Sequence, residues 1–344
     1  MKAAQLTGIR EFKVVEQETP LPSSGEVQVR VAAVGICGSD MHNFTEGGIG
    51  GSPCKYPMVL GHEPSGVVVR TGSAVTGVQA GDHFALEPAM PCGVCEMCRR
   101  DHSNLCENMR FMSSGGIPGF FQDVINLPAH NLIPVPKHVG LREATLIEPL
   151  AVALHSLTFA NIAEGETAVV FGTGPIGLLT IAALKMAGAG QVWAVEPVAH
   201  RREMAKAMGA DVAIGTEDPV REILGGTANR GVDVAFDCAA GEDTANQCIG
   251  ALARLGRLVY TAIPAAVHMP FHAPGLRKKE ITLYNVYRSN HQSENARDLL
   301  AAHTGVFAPL LTHSRPLEAI QEAFEIAVNY SDGVGKMLVM PGGA

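Results

Sequence analysis

Val169-Val170-Phe171 runs directly into Gly172-Thr173-Gly174-Pro175-Ile176-Gly177, and an apolar stretch follows to Leu184. Residues 167–184 carry no charge, and by length alone they imitate a membrane span. The glycines and Pro175 cluster in the first half, where a spanning helix gains nothing from them. A buried strand, a tight turn and a buried helix account for the same residues better. The chain is therefore expected to be cytosolic, with no membrane partner. The G-x-G-x-x-G spacing in this context, with Glu196 at the end of the apolar run 192–195, is a dinucleotide-binding fingerprint. Gly172 permits the turn, Gly174 lets backbone approach a pyrophosphate, and Gly177 allows close helix–strand packing. The free N–H groups of the following helix favour phosphate. Glu196 is placed to accept hydrogen bonds from ribose hydroxyls and to repel a 2′-phosphate, so NAD is the expected cofactor. Arg201 and Arg202 stand where arginine can instead bind NADP.

The fingerprint opens an alternation of strands and helices, at 167–171, 176–187, 191–195, 199–208, 232–237, 244–252 and 257–261. That rhythm predicts an α/β domain with a doubly wound parallel sheet. Before it, residues 1 to about 145 read as short β-branched runs broken by Gly, Pro and Asn. These include 27–34, 66–69, 83–86 and 122–125, and helix is expected over 141–159. After about 285 the texture changes again, with helices at 294–303 and 317–329 and a last strand at 335–339.

A second constellation begins at residues 35–42, GICGSDMH, behind the apolar run 27–34. Cys37 there and Gly61-His62-Glu63 beyond supply a thiolate, an imidazole and a carboxylate. A catalytic zinc takes such donors and keeps one position open. Cys92, Cys95, Cys98 and Cys106 form a C-x2-C-x2-C-x7-C run, read as a closed structural zinc. The chain has eight cysteines. With no secretory signal visible in residues 1–17, they are expected to be reduced, which favours metal over disulfide. An iron–sulfur cluster also suits such spacing, but a closed site beside a separate Cys/His/Glu site favours two zinc ions per chain. Cys54, Cys238 and Cys248 read as packing residues. The net charge of −8 argues against a nucleic-acid partner.

Taken in order, GICGSDMH, GHEPSG, the four-cysteine lobe, Glu148-Pro149-Leu150 and the fingerprint resemble the zinc-dependent medium-chain alcohol dehydrogenases, and within them the sorbitol (polyol) branch. The resemblance implies a GroES-like β-rich catalytic domain, residues 1–148 and 286–344, interrupted by a Rossmann domain at 149–285. It implies Cys37, His62 and Glu63 as catalytic-zinc ligands, with Glu148 at the metal or holding its water. It assigns Ser39 to the hydroxyl beside the reactive oxygen and His42 to the outer end of a proton path. Ile263 and Val286 would line the coenzyme, and Arg288 would contact substrate hydroxyls. Asn43, and the Ser/Gly-rich loop 112–121, depart from the sorbitol pattern. A homo-oligomer, dimer or tetramer, is implied as well.

The chemistry stands on the residues too. An alcohol gives up hydride readily only as an alkoxide, and zinc can lower the pKa of bound water from about 15.7 to about 7. A proton could then leave through Ser39 to His42. The expected activity is an NAD-dependent dehydrogenase acting on a secondary alcohol of a polyol or sugar-like small molecule. The alternatives are a threonine-dehydrogenase-type or sugar-acid enzyme, or a zinc- and NAD-binding protein without catalysis.

Overall fold

The computed structural model describes residues 1–264, 266 and 268–342. The chain divides between Glu148 and Pro149 and again between Gln292 and Ser293 into two units.

In the first unit, strands β1 (Lys2–Gly8) and β2 (Glu11–Glu16) pair as an antiparallel hairpin. The apolar run expected at 27–34 becomes β3 (Glu26–Gly35), with Val27, Val29, Val31 and Val34 fully buried. Such a strand needs cover along both edges and both faces. It is central, and helix α1 (Gly38–Glu46) follows it. Strands β4 (Glu63–Thr71), β5 (His83–Leu86), β6 (Val124–Pro128) and β7 (Leu132–Pro134) are the longer strands of the rest of the N-terminal part. The stretch expected as one helix at 141–159 is broken after Leu141–Ala144 and resumes as α2 (Ile147–Ala160).

The second unit alternates as the pattern requires. It runs β8 (Ala168–Phe171), α3 (Pro175–Met186), β9 (Val192–Val195), α4 (Ala199–Ala207), β10 (Val212–Ile214) and α5 (Pro219–Gly226). It continues through β11 (Val232–Asp237), α6 (Thr244–Ala251), β12 (Leu252–Tyr260), α7 (Ala273–Lys279) and β13 (Thr282–Asn285). All six strands are parallel, in the order β10-β9-β8-β11-β12-β13. The strand order reverses between β8 and β11, the switch point where doubly wound sheets bind ligands. Helix α3 is buried from Gly177 to Leu184, which explains the missing charges. Among the described residues no helix is long and apolar enough to cross a membrane.

The chain then returns to the first unit with α8 (Ser293–Ala302), β14 (His313–Pro316), α9 (Ile320–Val328) and β15 (Met337–Met340). The first unit's large sheet runs β7-β5-β4-β3-β15-β14, with β6 also on β3. β15 pairs antiparallel with the end of β3, Leu338 opposite Gly35 and Val339 opposite Val34. The resemblance implies a return at 286; the chain rejoins the first unit at Ser293. The reason is local. The Val286 N–H donates to Tyr260 O at 2.9 Å, so residues just past β13 are still tied to the parallel sheet.

Candidate metal centre and coenzyme site

Cys37 caps the N-terminus of α1, immediately after β3. Asp40 turns its Oδ2 back to accept the Cys37 N–H at 3.1 Å, one arm of a capping box. The antiparallel register sets Glu63 opposite Gly35, so β4 delivers His62 and Glu63 to Cys37. The ligand atoms of Cys37, His62 and Glu63 lie within 4.8 Å of one another. Gly61 makes the approach possible. Its φ is +92°, and a Cβ there would press on Val34 and on the Phe121 ring at 3.0 and 3.1 Å.

Behind the three donors stand two residues to which the sequence reading assigned no role. Asp40, almost fully buried, accepts the Gly61 N–H at 3.3 Å and faces His62 Nδ1 at 3.4 Å. A carboxylate behind a metal-binding imidazole fixes its tautomer and aim, and Ser39 Oγ lies 3.4 Å from the other nitrogen, Nε2. The available signal is the spacing Cys37-x-x-Asp40, that of a capping box with other residue types. Loop 112–121 joins this layer through Ser113, whose hydroxyl reaches Asp40 Oδ1 at 3.5 Å. The second residue is Lys336, buried just before β15, whose ammonium lies against Glu63 Oε2. The two form a buried ion pair.

Charge dominates this centre. Burial alone would lower the His62 pKa, but Asp40 and then Cys37 raise it well above the usual imidazole value. Burial would likewise lower Lys336, and Glu63 and Cys37 raise it. Glu148 is half-buried as a residue, and loss of water around its carboxyl pushes it up to about 8. His62 opposes that rise, while Glu63 and Glu87 add to it. The groups that favour a proton on His62 would equally favour a metal cation. One thiolate, one imidazole and one carboxylate converging in this way fit zinc with an open position. A zinc ion held there would supply Lewis acidity to a hydroxyl. Glu148 is not one of the three converging donors; it stands beside them, within their electrostatic reach.

The four-cysteine lobe is closed at its neck by a two-residue ladder, Ala89–Met90 against Arg110–Phe111. Cys92, Cys95, Cys98 and Cys106 converge within the same 4.8 Å limit. The backbone N–H groups of Val94 and Cys95 hold the Cys92 thiol down to about 6, in the direction that favours a thiolate ligand. Burial, then Cys95, pushes Cys98 up to about 12. Four cysteines without an opening for substrate suit a structural zinc. The neck also sets Phe111 beside His62, ring centroids 5.6 Å apart.

At the switch point of the second unit, a Cβ on Gly172 would lie 2.7 Å from Ala239 Cβ, and one on Gly177 would lie 1.9 Å from Gly172 O. Gly174 differs. A Cβ there would meet only Arg201 Nη1, at 4.0 Å. The protein itself does not require glycine at that position, and a phosphate drawn close to the backbone does. Pro175 and Ile176 open α3, and the buried Arg201 lies beside the turn. Arg202 is spent locally, donating to Glu196 O and Pro197 O at 2.8 and 2.7 Å. These residues fit a dinucleotide.

Residues 23–137 match the alcohol dehydrogenase GroES-like domain, and residues 175–302 match the zinc-binding dehydrogenase domain. The chain is 33% identical to sorbitol dehydrogenase of Bacillus subtilis (strain 168), over 99% of this chain and 97% of that one. The chain belongs to the zinc-dependent medium-chain dehydrogenases. Two solved structures of this family resemble it over nearly the whole length. 2R,3R-butanediol dehydrogenase from Bacillus subtilis superposes with a TM-score of 0.89, 30% identity and 99% coverage of both chains. A zinc-binding dehydrogenase from Sinorhizobium meliloti 1021, bound to NADP, gives 0.90, 29% and 99% of both. The β-rich first unit is thus GroES-like and the second Rossmann-like, and the protein is an oxidoreductase.

Within this dehydrogenase the remaining expected site residues are less concentrated. His42 Nδ1 pairs with Glu46 Oε1 at 2.7 Å on the outer side of α1. Ile263 is 46% exposed, and Val286 is tied to Tyr260. The strand that precedes Arg288 ends at Asn285. Arg288 adopts φ +56° and sets its guanidinium over the Tyr287 ring, 4.9 Å from the centroid.

Proposed function

We propose that this dehydrogenase transfers hydride between NAD and a secondary hydroxyl of a polyol or sugar-like substrate. The observation that carries the reading is the convergence of Cys37, His62 and Glu63, backed by Asp40, on one unsaturated donor set. In this reading Ser39 receives the hydroxyl proton and His42 exchanges it with solvent. Glu148 serves as a reserve carboxylate beside the metal.

NAD is favoured because the buried Glu196 carboxylate places negative charge at the end of β9, while Arg202 is engaged by two carbonyls. The coenzyme is not dictated by the family, since one relative holds NADP. For the substrate, two relatives are named for a polyol and a diol. Arg288 brings a rigid fork of donors suited to several hydroxyls. The cytoplasmic reading is supported by the cysteine lobe, whose thiolates are free to take zinc where thiols are kept reduced rather than paired as disulfides. The homo-oligomeric reading is supported by the family resemblance alone.

The test is NADH formation, followed in the near ultraviolet with NAD or NADP and a panel of polyols, threonine and 2-butanol. The highest kcat/KM should come from a polyol with NAD. Arg288→Ala should cost that polyol about ten- to a hundred-fold and leave 2-butanol nearly unchanged. A best substrate of the amino-alcohol or sugar-acid class would replace the polyol assignment. A protein with both zinc ions bound and no turnover on any substrate class would overturn catalysis.

A further inference from the structure

We propose that Lys336 is a positioning residue of the metal centre, the protein's own counter-ion for Glu63, competing with the metal for that carboxylate. The inference rests on reading Cys37, His62 and Glu63 as zinc ligands.

Lys336 is held rigidly. Its N–H donates to Leu310 O at 2.8 Å, and the next carbonyl, Met337 O, accepts the Ile36 N–H at 3.0 Å. The C-terminal segment is thereby stitched to the residue preceding Cys37. Lys336 is 2% exposed and Glu63 1%, so neither charge is relieved by water. The space for the pair exists because residue 35 is glycine. A Cβ there would lie 2.2 Å from Glu63 Oε2 and 2.7 Å from Lys336 Cε.

A buried carboxylate without a cation is strongly destabilising. Lys336 supplies that cation whenever no metal does. A divalent ion bound to Cys37, His62 and Glu63 would share Glu63 with the ammonium and repel it. The same lysine therefore stabilises the metal-free protein and weakens the grip on metal. Both consequences follow from one charge, and mere packing would produce neither as a pair.

The experiment uses the full chain with Lys336→Met, the paired Lys336→Met/Glu63→Gln variant, and Cys37→Ser as a marker of which zinc is read. Zinc release to a chromogenic chelator and thermal unfolding of the metal-free proteins are measured. Metal-free Lys336→Met should melt about 6 °C or more below wild type. Its Cys37-dependent zinc should be held about tenfold or more tightly, because the repelling charge is gone. The paired variant, with neither charge, should return to within about 2 °C of wild type even if the single variant fails to fold. Unchanged melting, unchanged or weaker zinc retention, or a paired variant no better than the single one would overturn the role of Lys336. If Cys37→Ser keeps two zinc ions, the ligand reading itself has failed, a separate result.

Discussion

The N–H and the hydroxyl of Thr173 both donate to Glu196 Oε2, at 2.8 and 3.2 Å, across the turn that follows β8. The Val198 N–H donates to the other oxygen, Oε1, at 3.0 Å. A carboxylate offers roughly four acceptor positions, so about one remains, on Oε1, for a ribose hydroxyl. Glu196 is thus a brace of the fingerprint turn, in addition to the coenzyme-reading role proposed for it. Glu196→Ser should narrow the ratio of kcat/KM for NAD over NADP by about ten- to a hundred-fold. It should also cost about 1.5–3 kcal/mol of stability, from lost hydrogen bonds to a charged group. A change in coenzyme ratio without any loss of stability would contradict the bracing role.

Asp40 touches none of the expected reactants, yet it holds Cys37 N, Gly61 N and His62 together. Asp40→Asn keeps the shape and removes the charge behind the imidazole. Zinc retention at the Cys37 site, or kcat/KM, should fall about ten- to a hundred-fold. Zinc content and turnover measured side by side would reveal it, and full retention of both would mean that Asp40 serves only the helix cap.

The lobe makes a different prediction. Cys98→Ser should reduce zinc from two equivalents to one and lower stability far more than it alters the chemistry. Closed thiolate sites contribute about 10–16 kcal/mol of apparent binding energy in small peptides, only part of which a large domain would lose. Any catalytic cost should arise through the neck strand that holds Phe111 beside His62. A wild-type count of one zinc would remove the separate structural site.

In the second unit, Asp233 Oδ2 accepts the Thr167 N–H and Oγ1 at 2.9 and 2.8 Å, and Arg230 pairs with Oδ1. Burial would raise its pKa, but Arg230 and Thr167 lower it below the ordinary carboxylate range. A depressed carboxylate contributes stability above the ordinary range and loses it as pH falls through the depressed value. Asp233→Asn should therefore cost about 1 kcal/mol near neutrality, discounted for solvent screening, and flatten the acid limb of the stability profile. Trp193, the single tryptophan and buried in β9, reports unfolding of this unit by fluorescence. An unchanged acid limb in the variant would assign that limb to other carboxylates.

What could be read without coordinates was local. The fingerprint, the four-cysteine lobe and most of the strand and helix alternation depend on spacings within a few residues, and spacing is what a sequence records. Those features are where expected: Gly172 and Gly177 are sterically required, and the cysteines converge. The pairing of Cys37 with His62 and Glu63 was inferred from residue types, but the β3–β4 register accomplishes it. Tertiary structure alone decided the rest. Lys336 reaches Glu63 because β15 inserts beside β3 after the whole second unit has intervened. Residues 286–292 stay with the parallel sheet because of contacts past the end of β13. Glu196 turns from a free acceptor into a largely occupied one because a neighbouring turn presents its N–H. For Lys336 and Glu196 a buried polar group finds its partner through non-local packing, since an unpaired one is too costly to leave, and no local spacing encodes which partner that is.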